Sequence, residues 1–262
     1  MPNGFFKTDC FPTYPGPKGV PRVRRPHMKV IRDYTYTGEK GDLLNAYLKL
    51  YPGDIRVHVA KINTEMKRKH RKAAELTLGE YVTWDGLMFA AVLYVQRGHE
   101  LWDEPEVPRR FRKPPGFGAI MSRNRFDEIK SSILAAFADP SRKGEDPWWE
   151  ISPLIDGFND NRRESIIISE EIIPDELMSA FQPRTTSSGD LEHVSFVERK
   201  PKRLGTEMKC ATDGRHGAML RLEMQEGAES MKRKRFRDTH KPAEATALRL
   251  VHGLNGWEMQ ID

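Results

Sequence analysis

The chain has 262 residues, of which 38% are apolar and 31% charged, and a formal charge of +5. This supports one large or two small folded units with a modest core, a polar surface and some disordered sequence. Cys10 and Cys210 stand far apart with no C-x-x-C pair, which excludes a zinc site of the usual spacing and a disulfide framework. The first residues show no apolar leader-like run and no stretch reaches membrane-span length, so no membrane association is expected.

Residues 1–27 are rich in Pro and Gly and end in the basic run "VPRVRRPH", and residues 1–40 are read as a disordered basic arm. "GDLLNAYLKLYPGD" predicts a short helix with Asp42 as its N-cap and a stop at Pro52-Gly53. "KINTEMKRKHRKAAE" would set Lys67, Arg68, Arg71 and Lys72 along a helix, as a polyanion-binding face or as an exposed targeting run. "TWDGLMFAAVLYVQRGHE" predicts a helix from Thr83 to near Gly98, apolar most of the way round and therefore buried. "WDEPEVPRRFRKPPGFG" is a Pro-rich basic loop; its "GFG" lacks the strand and Gly-Lys-Ser/Thr of a phosphate loop.

"SRNRFDEIKSSILAAFAD" carries the clearest helical pattern, with Ser122 as cap and Phe126, Ile129, Ile133 and Phe137 at helical spacing. "SPLIDGFNDN" opens another helix, with Ser152 as N-cap and Pro153 at the first helical position. After Glu164 the texture changes. "SIIIS", "HVSFVER" and "AMLRLEMQ" are short β-rich runs separated by the turn sequences "TTSSGD" and "TDGRHG". The charged run "MKRKRFRDTHKP" and a helix over "AEATALRLVHGL" follow. A helical part (41–163) followed by antiparallel strands (164–262) argues an α+β fold.

"IIPDELMSAF" has two readings. As a helix, it has Pro174 in the first turn, Asp175 and Glu176 near the positive dipole end, and Leu177 and Phe181 on one face. As a strand, it holds Asp175 on a rigid sheet, the setting a divalent metal requires.

From about residue 83 to 225 the motifs, in order, resemble piggyBac-type transposases. "WDGLMFAAVLYVQRG" and "MSRNRFDEIKSSILAAFAD" resemble helices of that family's DNA-binding and dimerisation region. "PWWEISPLIDGFNDNRRE" resembles the segment leading into its catalytic strand. "PDELMSAFQPR" resembles its D-E-x-M-x-x-F-x-x-R block, and "ERKPKRLGTEMKCATDGRHGAM" its K-P-x-K-x-G-x-x-x-K block followed by Asp. The resemblance implies an RNase H-like catalytic core whose Asp triad binds two Mg²⁺ ions to cut and join DNA at TTAA targets. It implies DNA as partner, a homodimer and a nuclear location. Asp175 matches the first catalytic, metal-binding Asp. Arg184 matches the family's Arg or Lys after the strand and is expected among the nucleic-acid-binding residues. Lys200, Lys202 and Lys209 match its basic block, either as phosphate contacts or as charges that keep an exposed strand edge soluble, and Asp213 matches an Asp outside the triad.

The chain also departs from the family. It shows no D-x-W-F motif for the second Asp, no later third Asp motif and no Cys-rich module, and Pro174 stands where the family has an apolar strand residue. The expectation is a piggyBac-derived, DNA-binding chain whose core is catalytically incomplete and does not hold Mg²⁺ stably. The alternatives are an active DDE nuclease whose other carboxylates lie on a second chain or missing exon, and a non-catalytic helical interaction protein.

Overall fold

The computed structural model describes residues 30–35, 37, 39, 41–92, 98–103, 116–180, 194–200 and 203–254. Among these lie seven α-helices and a four-stranded antiparallel sheet, the α+β architecture expected. No helix among the described residues is long and apolar enough to cross a membrane.

The first half is helical. Helix α1 (Asp42–Leu50) is capped by Gly41 at φ 102°, a left-handed conformation that favours glycine. Asp42 is therefore inside the helix rather than its cap. Its buried carboxylate instead gathers the preceding turn, accepting from Thr37 N at 2.7 Å, Thr37 Oγ1 at 2.9 Å and Glu39 N at 3.1 Å. Helix α2 (Ile55–Lys69) is capped by Asp54. Arg71 and Lys72 lie in the turn beyond α2, so the four expected cations do not share one helix.

Helix α3 (Leu78–Ala90) starts earlier than expected. Thr77 is its cap, and Thr83 sits inside, bonding back to Gly79 O at 2.8 Å. It is not buried all round either: Tyr81, Trp84 and Leu87 face inward, whereas Met88 and Phe89 are exposed. Helix α4 (Arg123–Ser132) is capped by Ser122 as its sequence indicates, and its final turn tightens to a 3₁₀ turn over Ile133–Ala136.

These helices close one core around Ile62, Met66, Tyr81, Trp84, Phe126 and Ile129. Several buried or part-buried polar groups tie it together, although the buried Ser132 hydroxyl has no hydrogen-bond partner among the described residues. The Asn63 amide donates to Leu76 O at 2.9 Å and accepts from Leu76 N at 2.7 Å, fixing the α2–α3 connection. Trp84 Nε1 donates to Phe126 O at 3.2 Å, and Arg125 forks onto Glu80 at 2.6 and 2.8 Å, tying α4 to α3.

Helix α5 (Ser152–Ser165) starts one residue before its proline, with Ile151 rather than Ser152 as cap. It joins the two halves. The Asn161 amide donates to Lys49 O at 2.9 Å and Arg162 Nη1 to Leu50 O at 3.2 Å. Asn159 pairs with both backbone groups of Leu222, at 2.8 and 2.9 Å, covering part of a strand edge.

The isoleucine run is not a long strand. Ile166 forms an isolated bridge with Ile31, and β1 begins at Ile172. "IIPDELMSAF" is resolved in favour of a strand: β1 (Ile172–Ala180) pairs antiparallel with β3 (Leu204–Asp213) along its whole length. Short β2 (Val194–Phe196) and β4 (Met219–Met224) both pair with the other edge of β3. The strands are thus consecutive in sequence but β1 skips β2. No described strand pairs with the other edge of β1, and an edge position tolerates Pro174. Gly205 is required where β1 ends: a Cβ there would run into the Ser179 carbonyl.

Helix α6 (Gly227–Arg233), hidden in a charged run, precedes α7 (Pro242–Val251). Helix α7 packs on the sheet, with Leu250 and Val251 against Ala211 and Leu220 in a second core. Its buried Arg249 forks onto Glu223 of β4 at 2.7 and 2.8 Å.

Candidate functional site

Strand alternation sends Asp175 and Glu176 to opposite faces of the sheet. The register places Asp175 opposite Cys210 and Glu176 opposite Lys209. Asp175 is exposed, and its Oδ1 accepts from the Glu176 backbone N–H at 2.7 Å. Cys210 is buried; burial first, then the charge of Asp175, pushes its thiol pKa above the ordinary value.

The lysine block belongs to the other face. Lys209 Nζ bridges Glu176 Oε2 at 3.0 Å and Glu207 Oε1 at 2.6 Å. Lys200 Nζ lies 3.8 Å from Glu176 Oε1, and Arg199 Nη2 contacts the same oxygen. Glu176 rather than Asp175 is therefore the carboxylate that these ammonium groups reach. Arg184 and Lys202 lie outside the described residues.

Asp213 holds the β3–β4 turn. It is fully buried and accepts from Ser169 N at 2.6 Å, His216 N at 2.8 Å and Arg215 N at 3.0 Å. Burial opposes its ionisation, but the donors from Ser169 and His216 prevail and hold its pKa below the ordinary carboxylate value. This is a structural anchor made from a residue that the motif alone left without a role.

A two-metal centre asks for several carboxylates converging on the ions. Among the described residues, no group of three or more His, Cys, Asp or Glu side chains is placed to hold a metal ion. Asp175 offers one ligand, and the described residues do not fit a Mg²⁺ pair.

The four cations that the sequence singles out in the helical half are on the surface. Lys67, Arg68, Arg71 and Lys72 are all exposed. Arg68 forks onto Glu65 at 2.7 and 2.8 Å; the hydrogen bond from Arg68 is the largest cause lowering the Glu65 pKa to about 2. In the sheet half, Lys232 pairs with Glu229 at 2.7 Å and Lys234 with Glu226 at 2.6 Å. A cleft of about 860 Å³ lies between the sheet and α6–α7, with Glu176, Glu207, Lys209, Arg237 and Arg249 among its lining residues. Sequence reading missed Arg199, Glu176 and Glu207 as partners of the lysines, because they meet only through strand register.

A family model described as Transposase IS4, of the DDE type, matches residues 47–260. No curated protein matches the chain. Among solved structures, a piggyBac transposase in a synaptic complex with hairpin DNA, determined by cryo-EM, is similar with a TM-score of 0.61 and 17% identity. That match covers 81% of this chain and 43% of the other, so this chain spans less than half of the length of the transposase it resembles. Family and fold agree with the order of motifs: the chain belongs to the IS4-type DDE transposase family and shares its fold with the matched part of the piggyBac transposase.

Proposed function

We propose that this chain is a piggyBac transposase-derived protein that binds duplex DNA through its basic surfaces and does not cleave DNA by itself. The observation that carries the second part is the setting of Asp175: an exposed carboxylate on a sheet edge, with no metal-holding group of side chains around it among the described residues. The first part rests on the exposed cations Lys67, Arg68, Arg71 and Lys72, and on the related transposase, which is described in a complex with hairpin DNA. In this reading, residues 41–163 supply a helical DNA-binding and dimerisation part. Residues 164–262 supply a core of RNase H type that needs further carboxylates before it can use Mg²⁺. The action is nuclear, and the basic runs also serve import.

Binding to a fluorescent duplex across a range of NaCl concentrations tests DNA contact. Each neutralised phosphate contributes about −0.9 to the slope of log K against log salt. Replacing Lys67, Arg68, Arg71 and Lys72 together by Gln should flatten the slope markedly. An unchanged slope would remove this surface from the interface, and no salt-dependent binding at all would refute the reading.

A further inference from the structure

Three cations converge on one carboxylate at the sheet face. Lys209 reaches Glu176 Oε2 at 3.0 Å, Lys200 lies 3.8 Å from Oε1 and Arg199 contacts Oε1. The strands and their connection fix this arrangement. Glu176 and Lys209 are register partners of β1 and β3, while Arg199 and Lys200 sit in the β2–β3 connection, pinned by the Lys200 N to Val197 O bond at 3.1 Å. A second acid, Glu207, also takes Lys209 at 2.6 Å. The cluster thus has three positive and two negative groups and keeps one positive charge. The Glu176 side chain is 19% exposed and that of Arg199 68% exposed, so the acid lies within the cluster and a cation reaches into water.

Such a fork-and-ammonium set suits a phosphate group, which presents more acceptor oxygens than a carboxylate. We propose that Arg199, Lys200 and Lys209 form a phosphate-binding site for a nucleic-acid backbone, and that Glu176 occupies it in the free chain. A DNA phosphate must displace this internal carboxylate, so Glu176 weakens DNA binding and sets its threshold. The proposal rests on the DNA-binding reading above and adds a regulator to it. It also accounts for the part-buried charges of Glu176, Lys200, Lys209 and Glu207, which would otherwise cost desolvation with little gain.

The test is Glu176→Gln in the full chain, which keeps the shape and removes the competing charge. Salt-dependent binding to a fluorescent duplex should tighten, with a slope steeper by about 0.9, one additional phosphate contact. Glu150→Gln, the same charge change at an exposed position elsewhere, should not alter the slope. Adding Arg199→Gln and Lys200→Gln to Glu176→Gln should abolish the gain. If the wild type binds DNA and Glu176→Gln leaves the slope unchanged, or Glu150→Gln matches it, the proposal fails while the DNA-binding reading stands. If the wild type shows no DNA binding, that reading fails. Calorimetry with inorganic tripolyphosphate then decides the site: binding by Glu176→Gln that Arg199→Gln and Lys200→Gln remove supports it, and no binding overturns it. Should Glu176→Gln misfold, the wild type and its Arg199→Gln, Lys200→Gln variant are compared with tripolyphosphate; equal binding overturns the proposal, and loss in the variant supports it.

Discussion

Removing Glu223 should unfasten α7 from the sheet. The guanidinium of Arg249 forks onto Glu223 at 2.7 and 2.8 Å, and the two side chains are only 9% and 13% exposed. Arg249 also donates to Arg235 O and to Thr246 Oγ1, each at 3.0 Å. Losing one member of a buried pair leaves a desolvated charge, which typically costs about 3–5 kcal/mol. The two remaining acceptors compensate part of this, so Glu223→Ala should lie near the lower end, about 3 kcal/mol. Urea unfolding followed by circular dichroism measures the loss. The double variant Glu223→Leu, Arg249→Met removes both charges and should recover most of the stability, to within about 1 kcal/mol of the parent. A single-variant loss below about 1 kcal/mol would refute the reasoning, because exposed pairs are worth no more than that. Equal losses in the single and double variants would assign the effect to packing rather than to the stranded charge.

Two further predictions address the other core and the β3–β4 turn. Ile129→Ala should cost about 2–5 kcal/mol in urea unfolding, since Ile129 is fully buried among helices and its removal leaves a cavity. Asp213 has a depressed pKa in the folded chain, so its stabilisation is present above the ordinary carboxyl pKa of about 3.9 and is lost as pH falls through the lower folded value. Asp213→Asn should lower stability at neutral pH and flatten that acid limb in a pH-dependent unfolding series; parallel acid limbs would argue against the assignment.

How much was legible in the sequence varied with how local the deciding interaction is. Helix α4 could be read because its cap and its apolar period are both local: Ser122 accepts from Arg125 N, and Phe126 and Ile129 are buried. The start of α3 could not, because Thr77 and Thr83 are both plausible-looking caps by type, and only backbone geometry separates them. For "IIPDELMSAF", Pro174 and the acids satisfy a helix start as well as an edge strand. The pairing of all nine residues with β3 decides the matter, and that pairing is tertiary. The same holds for the candidate site. Asp175 was located by motif, but that Lys209 meets Glu176 rather than Asp175 follows from register alone. The convergence of Arg199, Lys200 and Lys209 on Glu176 needs both that register and the β2–β3 connection.

The most direct measurement of the central claim is incubation of the purified full chain with a labelled duplex carrying a TTAA-flanked element end, with Mg²⁺ or Mn²⁺. The account predicts a salt-sensitive complex and intact strands. Metal-dependent cuts by this chain alone, abolished by Asp175→Asn, would contradict it.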